Sequence, residues 1–196
     1  GCPFCYVRTL PIAKRGGPRW GSWVIAKENL IECLHAELAA LARAGRLEAS
    51  TVFMSSATDP YQGMERSFGL TRRALKAFLE FPVRRLLLQT RSPLIERDLE
   101  LLKEMGSRVI VSLTLETDDD RVRRALTPTS PSTARRFRTA RLIRAAGIPI
   151  QLAISPMMPN NPERFAALAE EATDRVIVDT YFAGDVAYHY DKLQRG

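Results

Sequence analysis

Cysteine is scarce in this chain, with three residues in 196, at positions 2, 5 and 33. So small and odd a number does not describe a disulfide framework. Histidine is scarcer, with His35 and His189 alone. His35 falls beside Cys33 in a helical stretch and reads as a surface or groove residue rather than a base, and no spacing ties His189, in Tyr188-His-Tyr190, to a site. No apolar run is long enough to span a bilayer and no stretch reads as a secretory signal. A reducing, cytoplasmic setting without membrane is therefore expected. A Gly-rich strand-to-helix turn is also lacking, which argues against a metal-free, phosphate-cradling barrel enzyme.

What is present suits an ordinary domain. The apolar fraction is 45% and the charged fraction 26%, enough for one substantial core, so residues 1–196 are expected to form a single domain. Lys and Arg outnumber Asp and Glu by 29 to 22, a formal +7, which favours polyanionic partners such as nucleic acid. Most of the arginines, among them Arg72, Arg73, Arg123, Arg124, Arg135, Arg136, Arg138, Arg141 and Arg144, sit in mixed-charge segments and read as solvated helix faces. Asp118-Asp-Asp120 reads as a solvated turn or helix start.

The chemistry-bearing stretch is Gly1-Cys2-Pro3-Phe4-Cys5-Tyr6. Cys2 and Cys5 make a compact thiolate pair suited to iron or zinc, but closed sites need more ligands than two. The sequence starts inside this motif and without Met, so a piece of a longer protein is expected. Cys33 reads as a small core or groove residue, since nothing in the sequence links it to the pair.

Residues 7 to 27, with Pro11, Gly16, Gly17, Pro18, Trp20, Gly21 and Trp23, show no period and read as a long structured loop. From Glu28 to Ala44, Leu30, Ile31, Leu34, Leu38 and Leu41 recur at helical spacing, and Gly45 supplies the stop. Strands then alternate with helices. Strands are expected at Thr51 to Ser55, Arg85 to Thr90, Arg108 to Glu116, Pro149 to Ser155 and Arg175 to Phe182. Helices are expected at Glu65 to Phe81, from Ser92-Pro93 to about Met105, at Ser132 to Ala146 and at Pro162 to Ala172.

Such alternation implies an α/β fold with a parallel sheet and right-handed crossovers. Ser112, Thr114 and Glu116 share one strand face while Leu113 and Leu115 share the other, and Gln151, Ala153 and Ser155 repeat this opposite Leu152 and Ile154. A polar face on successive strands suits a barrel or partial barrel holding a polar ligand. The strand ends, where function concentrates in such folds, are polar in succession: Ser55 to Asp59, Thr90 to Ser92, Thr114 to Thr117, Ser155, and Asp179 to Tyr181. Ser92 and Asp59 could equally be helix N-caps.

Taken together, Gly1-Cys-Pro-Phe-Cys-Tyr6, the Trp20-Gly21 loop, Ser55-Ser-Ala-Thr-Asp-Pro-Tyr61, Thr90-Arg-Ser-Pro93, Ser112-Leu-Thr114 and Ala146-Gly-Ile-Pro149 to Pro156 resemble the radical S-adenosylmethionine (SAM) superfamily. They resemble in particular its spore photoproduct lyase-like branch, also described as DNA repair photolyase-like. The resemblance implies a partial parallel (β/α)6 barrel whose first strand, and the first cysteine of a C-x3-C-x2-C motif, would lie upstream of Gly1. It implies a [4Fe–4S] cluster held by three cysteines, of which Cys2 and Cys5 match the second and third, with the fourth iron open to the amino and carboxylate groups of SAM. Reductive cleavage of SAM to a 5′-deoxyadenosyl radical, and hydrogen abstraction from a substrate the sequence does not name, follow from it. So does a low-potential electron donor of flavodoxin or ferredoxin type. The resemblance carries Phe4 to the adenine and Tyr6 to a shield or SAM contact. It carries Ser56, Thr58 and Asp59 to the SAM amino group, although the usual Gly-Gly-Glu is not seen. Thr90, Ser92, Ser112, Thr114 and Glu116 match positions near ribose and carboxylate, and Ser155 with Pro156 positions near adenine.

One departure bears on substrate. True spore photoproduct lyases carry a hydrogen-donating cysteine where this chain has Ser56, and an alcohol O–H is too strong a bond for that task, which argues against thymine-dimer repair. A second reading stays open at the level of sequence: a non-enzymatic module with a structural zinc on Cys2 and Cys5 and a basic surface for nucleic acid.

Overall fold

The structure, a computed structural model, describes residues 2–15 and 19–179. Five parallel strands form one sheet in the order of the chain: β1 (Thr51–Met54), β2 (Arg85–Thr90), β3 (Val109–Thr114), β4 (Ile150–Ile154) and β5 (Val176–Val178). Sequential order with a crossover at every step leaves the sheet open at β1 and β5, an arc of barrel wall rather than a closed ring.

The helices are α1 (Leu30–Arg43), α2 (Glu65–Phe68), α3 (Leu70–Glu80), α4 (Leu99–Met105), α5 (Asp120–Leu126), α6 (Thr133–Ala145) and α7 (Pro162–Ala172). Strand residues of one parity pack against them. Leu86, Leu88, Val109 and Val111 join Leu38, Leu75, Phe78 and Leu102 in one apolar cluster. Leu113, Leu115, Leu152 and Ile154 join Phe137, Ala140, Phe165 and Ala169 in a second. The other parity carries the polar side chains, and on it Gln151 Nε2 donates to Ser112 Oγ over 3.1 Å with both residues buried. The alternation in the sequence thus separates a helix-packed outer face from a polar inner one. At the open edges the apolar residues are left partly bare, with Phe53 47% and Val178 52% exposed.

Several elements differ from the sequence expectation. Gly69 adopts the left-handed conformation, at φ +59°, and splits the segment expected as one helix into α2 and α3. Pro93 opens a 3-10 turn, Pro93–Asp98, with α4 following it. The helix start expected at Asp118-Asp-Asp120 opens α5, where the Asp119 side chain accepts from Arg121 N. The loop after Cys5 contains two 3-10 turns, Tyr6–Thr9 and Pro11–Lys14. The last strand is Val176–Val178, followed by Asp179; Thr180, Tyr181, Phe182 and His189, like Gly16, Gly17 and Pro18, lie outside the described residues.

Three charge expectations are corrected. Arg136 and Arg123 are not solvated but 0% and 8% exposed, because carboxylates and carbonyls of neighbouring loops meet their guanidinium groups. Asp118 is buried too, accepting from Asn161 N at 3.0 Å and from Arg164 Nε. Cys33, expected in core or groove, is exposed, since α1 turns it away from Leu34 and Leu38.

Candidate active site at the carboxyl edge of the sheet

The Cys2–Cys5 turn closes on itself through Cys5 N donating to Cys2 O at 3.2 Å. Aromatic donors pin it from two directions. Trp20 Nε1 donates to Cys2 O at 3.1 Å, and the Tyr6 hydroxyl donates to Ser56 O just beyond β1. These contacts hold the thiol pair at the carboxyl ends of the strands, the face where α/β folds place their ligands.

Arg91, the first residue after β2, is the centre of the arrangement. Its Nη1 lies 3.0 Å from Cys2 Sγ, 2.9 Å from Glu116 Oε1 beyond β3, and 3.4 Å from Ser130 Oγ. The Glu116 contact is an ion pair off the line of a hydrogen bond, which leaves Oε1 without a donor. The other oxygen of Glu116 accepts from Arg136 Nη1 at 2.6 Å, and that same nitrogen donates to Thr114 O at 2.9 Å. Burial works to raise the Glu116 pKa, yet the facing Arg91 and Arg136 cations outweigh it and hold the carboxyl below the usual glutamate range. Burial likewise disfavours the Arg91 cation, and the Glu116 carboxylate with the cysteine sulfurs and Asp59 outweighs it in turn. The Cys5 thiol is pushed up, chiefly by burial.

Asp59 sets the main chain at Arg91. Its Oδ1 accepts from Tyr61 N at 2.9 Å and from Thr90 Oγ1 at 2.7 Å, and its Oδ2 accepts from Arg91 N at 2.9 Å. One carboxylate thereby ties the ends of β1 and β2 together and fixes the direction in which Arg91 leaves its strand. Just before it, Ser55 has φ +112°, a backbone region that a residue with Cβ seldom adopts.

Of the residues expected from sequence, Cys2, Asp59, Thr90 and Glu116 meet around Arg91, Thr114 meets Arg136 through its carbonyl, and Tyr6 meets Ser56. Others are engaged locally. Thr90 Oγ1 also accepts from Ser92 N, and the Ser92 hydroxyl caps the 3-10 turn by accepting from Leu94 N. Of the two cap candidates, Ser92 acts as one, whereas Asp59 bridges two strand ends. Ser112 lies deeper, with Gln151, and Ser155 Oγ donates to Asp179 Oδ2 at 3.2 Å between the ends of β4 and β5. Thr58 and Ser56 are exposed, Phe4 half-buried; Gln62 donates to Thr58 Oγ1.

Arg91, Arg136 and Ser130 are not among the site residues expected from sequence, which takes Arg136 for a solvated helix face. Arg91 stands inside the strand-end segment Thr90-Arg-Ser-Pro93, of which Thr90 and Ser92 carry the sequence expectation. For Ser130 and Arg136, whose partners lie far away in sequence, no local signal exists. Among the described residues no three His, Cys, Asp or Glu side chains gather as a metal site. The donor set still fits an iron–sulfur cluster in part: two thiols on one turn, with a cation beside them to offset thiolate charge.

The comparisons bear on this arrangement. The chain is 31% identical over 159 residues to Uncharacterized protein MJ0683 of Methanocaldococcus jannaschii, spanning 81% of this chain and 56% of that protein. It is 28% identical over 172 residues to Uncharacterized protein ORF301 of Acidianus two-tailed virus, spanning 83% of this chain and 54% of the relative. It thus covers about half the length of these relatives. In fold it is similar to spore photoproduct lyase complexed with dinucleoside spore photoproduct, with a TM-score of 0.68 at 14% identity over 99% of this chain and 57% of the other. It is also similar to Streptococcus suis SuiB bound to precursor peptide SuiA, with a TM-score of 0.61 at 19% identity over 92% of this chain and 36% of SuiB. The family model described as the radical SAM superfamily matches residues 1–172, and the chain belongs to that superfamily.

Proposed function

We propose that residues 1–196 are the core domain of a radical SAM enzyme, with Cys2 and Cys5 as two of three thiolate ligands to a [4Fe–4S] cluster and SAM seated along the ends of β1 to β4. The observation that carries this reading is the placement of the Arg91 guanidinium 3.0 Å from Cys2 Sγ, where the ends of β1, β2 and β3 converge. Held on Cys2 and Cys5 with a third thiolate, the cluster would supply the electron for reductive cleavage of SAM to methionine and a 5′-deoxyadenosyl radical able to take a hydrogen atom from substrate.

The chain's own residues bind and orient. Arg91 presents a fixed cation to the thiolates and to the carboxylate of SAM, and an arginine fork suits a carboxylate. Asp59, engaged with three donors, holds the β1 and β2 ends in register rather than meeting the ligand alone. Thr58 and Ser56, exposed beyond β1, are placed for the amino group, and Tyr6 and Phe4 flank the site as aromatic walls. Ser92, Thr114, Glu116 and Ser155 line the remaining strand ends, with Ser112 deeper beside Gln151. The +7 charge supports a polyanionic substrate such as nucleic acid, while Ser56 argues against a thiol hydrogen donor at that position. A low-potential flavodoxin or ferredoxin and a reducing cytoplasmic setting complete the proposal.

The test is anaerobic reconstitution of the full-length protein. Four irons and labile sulfide per chain, with 5′-deoxyadenosine formed from SAM under reduction, are expected, and Cys2→Ala or Cys5→Ala should abolish both. Zinc without iron or sulfide, or a cluster that never engages SAM, would overturn it.

A further inference from the structure

Arg136 is a costly residue in an unexpected place. It lies on α6, directly before Phe137 and one turn before Ala140, both of which pack on the outer face of the sheet, and it is 0% exposed. One nitrogen serves Thr114 O and Glu116 Oε2, while Nε and Nη2 are buried without partners. Unmade hydrogen bonds on a buried cation are expensive, and an apolar residue of similar size would serve stability as well or better. Among the described residues its one charged contact leads to the site: Glu116 is 1% exposed and faces Arg136 with one oxygen and Arg91 with the other.

We infer that Arg136 is a positioning residue which, by fixing Glu116, holds the Arg91 guanidinium against Cys2. This rests on the proposed function for its purpose but not for its geometry. Glu116 is shared by two cations. Without Arg136, both its oxygens turn to Arg91 and draw the guanidinium off the sulfur. Without the Glu116 charge, Arg91 keeps its cation but loses its anchor, and only the weak, 3.4 Å contact to Ser130 Oγ and the thiol remain. The two losses have opposite electrostatic consequences for anything bound on Cys2: the first withdraws positive charge, the second removes the negative charge that offsets it.

Two measurements test this. In metal-free protein, side-chain 15N NMR of the Arg91 guanidinium, assigned with Arg91→Lys, should show hindered rotation in the wild type. Rotation should become free in Glu116→Gln and in the double variant Glu116→Gln/Arg136→Met, which also removes the fully buried Arg136 cation that Glu116→Gln alone would leave without its carboxylate. In Arg136→Met the resonance should stay hindered but shift as its partner changes. In reconstituted protein, Arg136→Met should lower the cluster potential and Glu116→Gln raise it, with SAM affinity weakened about 10–100-fold in both, the usual scale for loss of an outer partner; Arg136→Lys should recover part. Unchanged Arg91 resonances in all variants, or potentials that move in the same direction, would overturn the inference. A wild type with the expected NMR pattern but no cluster would instead sink the functional reading and leave the relay standing.

Discussion

Asp98 shows how much structure single side chains impose here. Its carboxylate is 0% exposed and accepts from the Tyr61 hydroxyl at 3.0 Å, with Arg72 and Arg97 as ion-pair partners. Because the Tyr61 amide is held by Asp59, this buried knot anchors the loop that delivers Asp59 to Arg91. Tyr61→Phe should cost about 1.5–3 kcal/mol, the scale of a hydrogen bond to a charged group, read as a lowered urea midpoint. Chemical type was legible at this scale: the sequence marked Cys2, Cys5, Asp59, Thr90 and Glu116. Direction was not. The partners of Glu116 are 25 residues before it and 20 after it, at Arg91 and Arg136, and no local pattern predicts which arginine turns inward.

Among the elements, β1 to β4 lie within two residues of the expected strands because alternation of period two is strong in β3 and β4 and their flanks are marked by Gly147, Pro149 and Pro156, whereas β5 is described only at Val176–Val178. Helix breaks were less legible. Gly69 could as well sit inside a helix as end one, and only its positive φ shows that it separates α2 from α3. Gly69→Ala should destabilise by about 1–2 kcal/mol, the cost of forcing Cβ into the left-handed region, with no steric clash to add since nothing lies within 4 Å of that position. At the head of α7, Asn161 Oδ1 accepts from Arg164 N at 2.9 Å. Asn161→Ala should cost about 0.5–2 kcal/mol, and thermal denaturation would measure it.

At the scale of the whole molecule, many charges of the described residues stand in buried and bridging pairs. Asp120 is a clear case: Arg123 donates to it at 2.7 and 3.0 Å, and its pKa falls from 3.8 to about 2. A depressed carboxylate stabilises the fold at pH values above its unfolded pKa, and the contribution is lost as pH falls through the folded one. Stability should therefore drop between about pH 4 and pH 2, and Asp120→Asn should flatten that limb of a denaturation series. Arg123 also donates to Ser130 O at 2.9 Å, so the same variant should loosen the segment facing Arg91.

The sequence by itself determined the α/β alternation, the polar inner face and the thiol pair, since each depends on residue types at short spacing. Resemblance across those motifs was enough to reach the superfamily. Only the tertiary structure decided that Arg91 meets Cys2, that Glu116 is shared between two arginines, and that Arg136 is buried behind the sheet. These contacts join side chains 20 to 89 residues apart, and such pairings are chosen by strand order and crossover packing, which no short stretch of sequence contains.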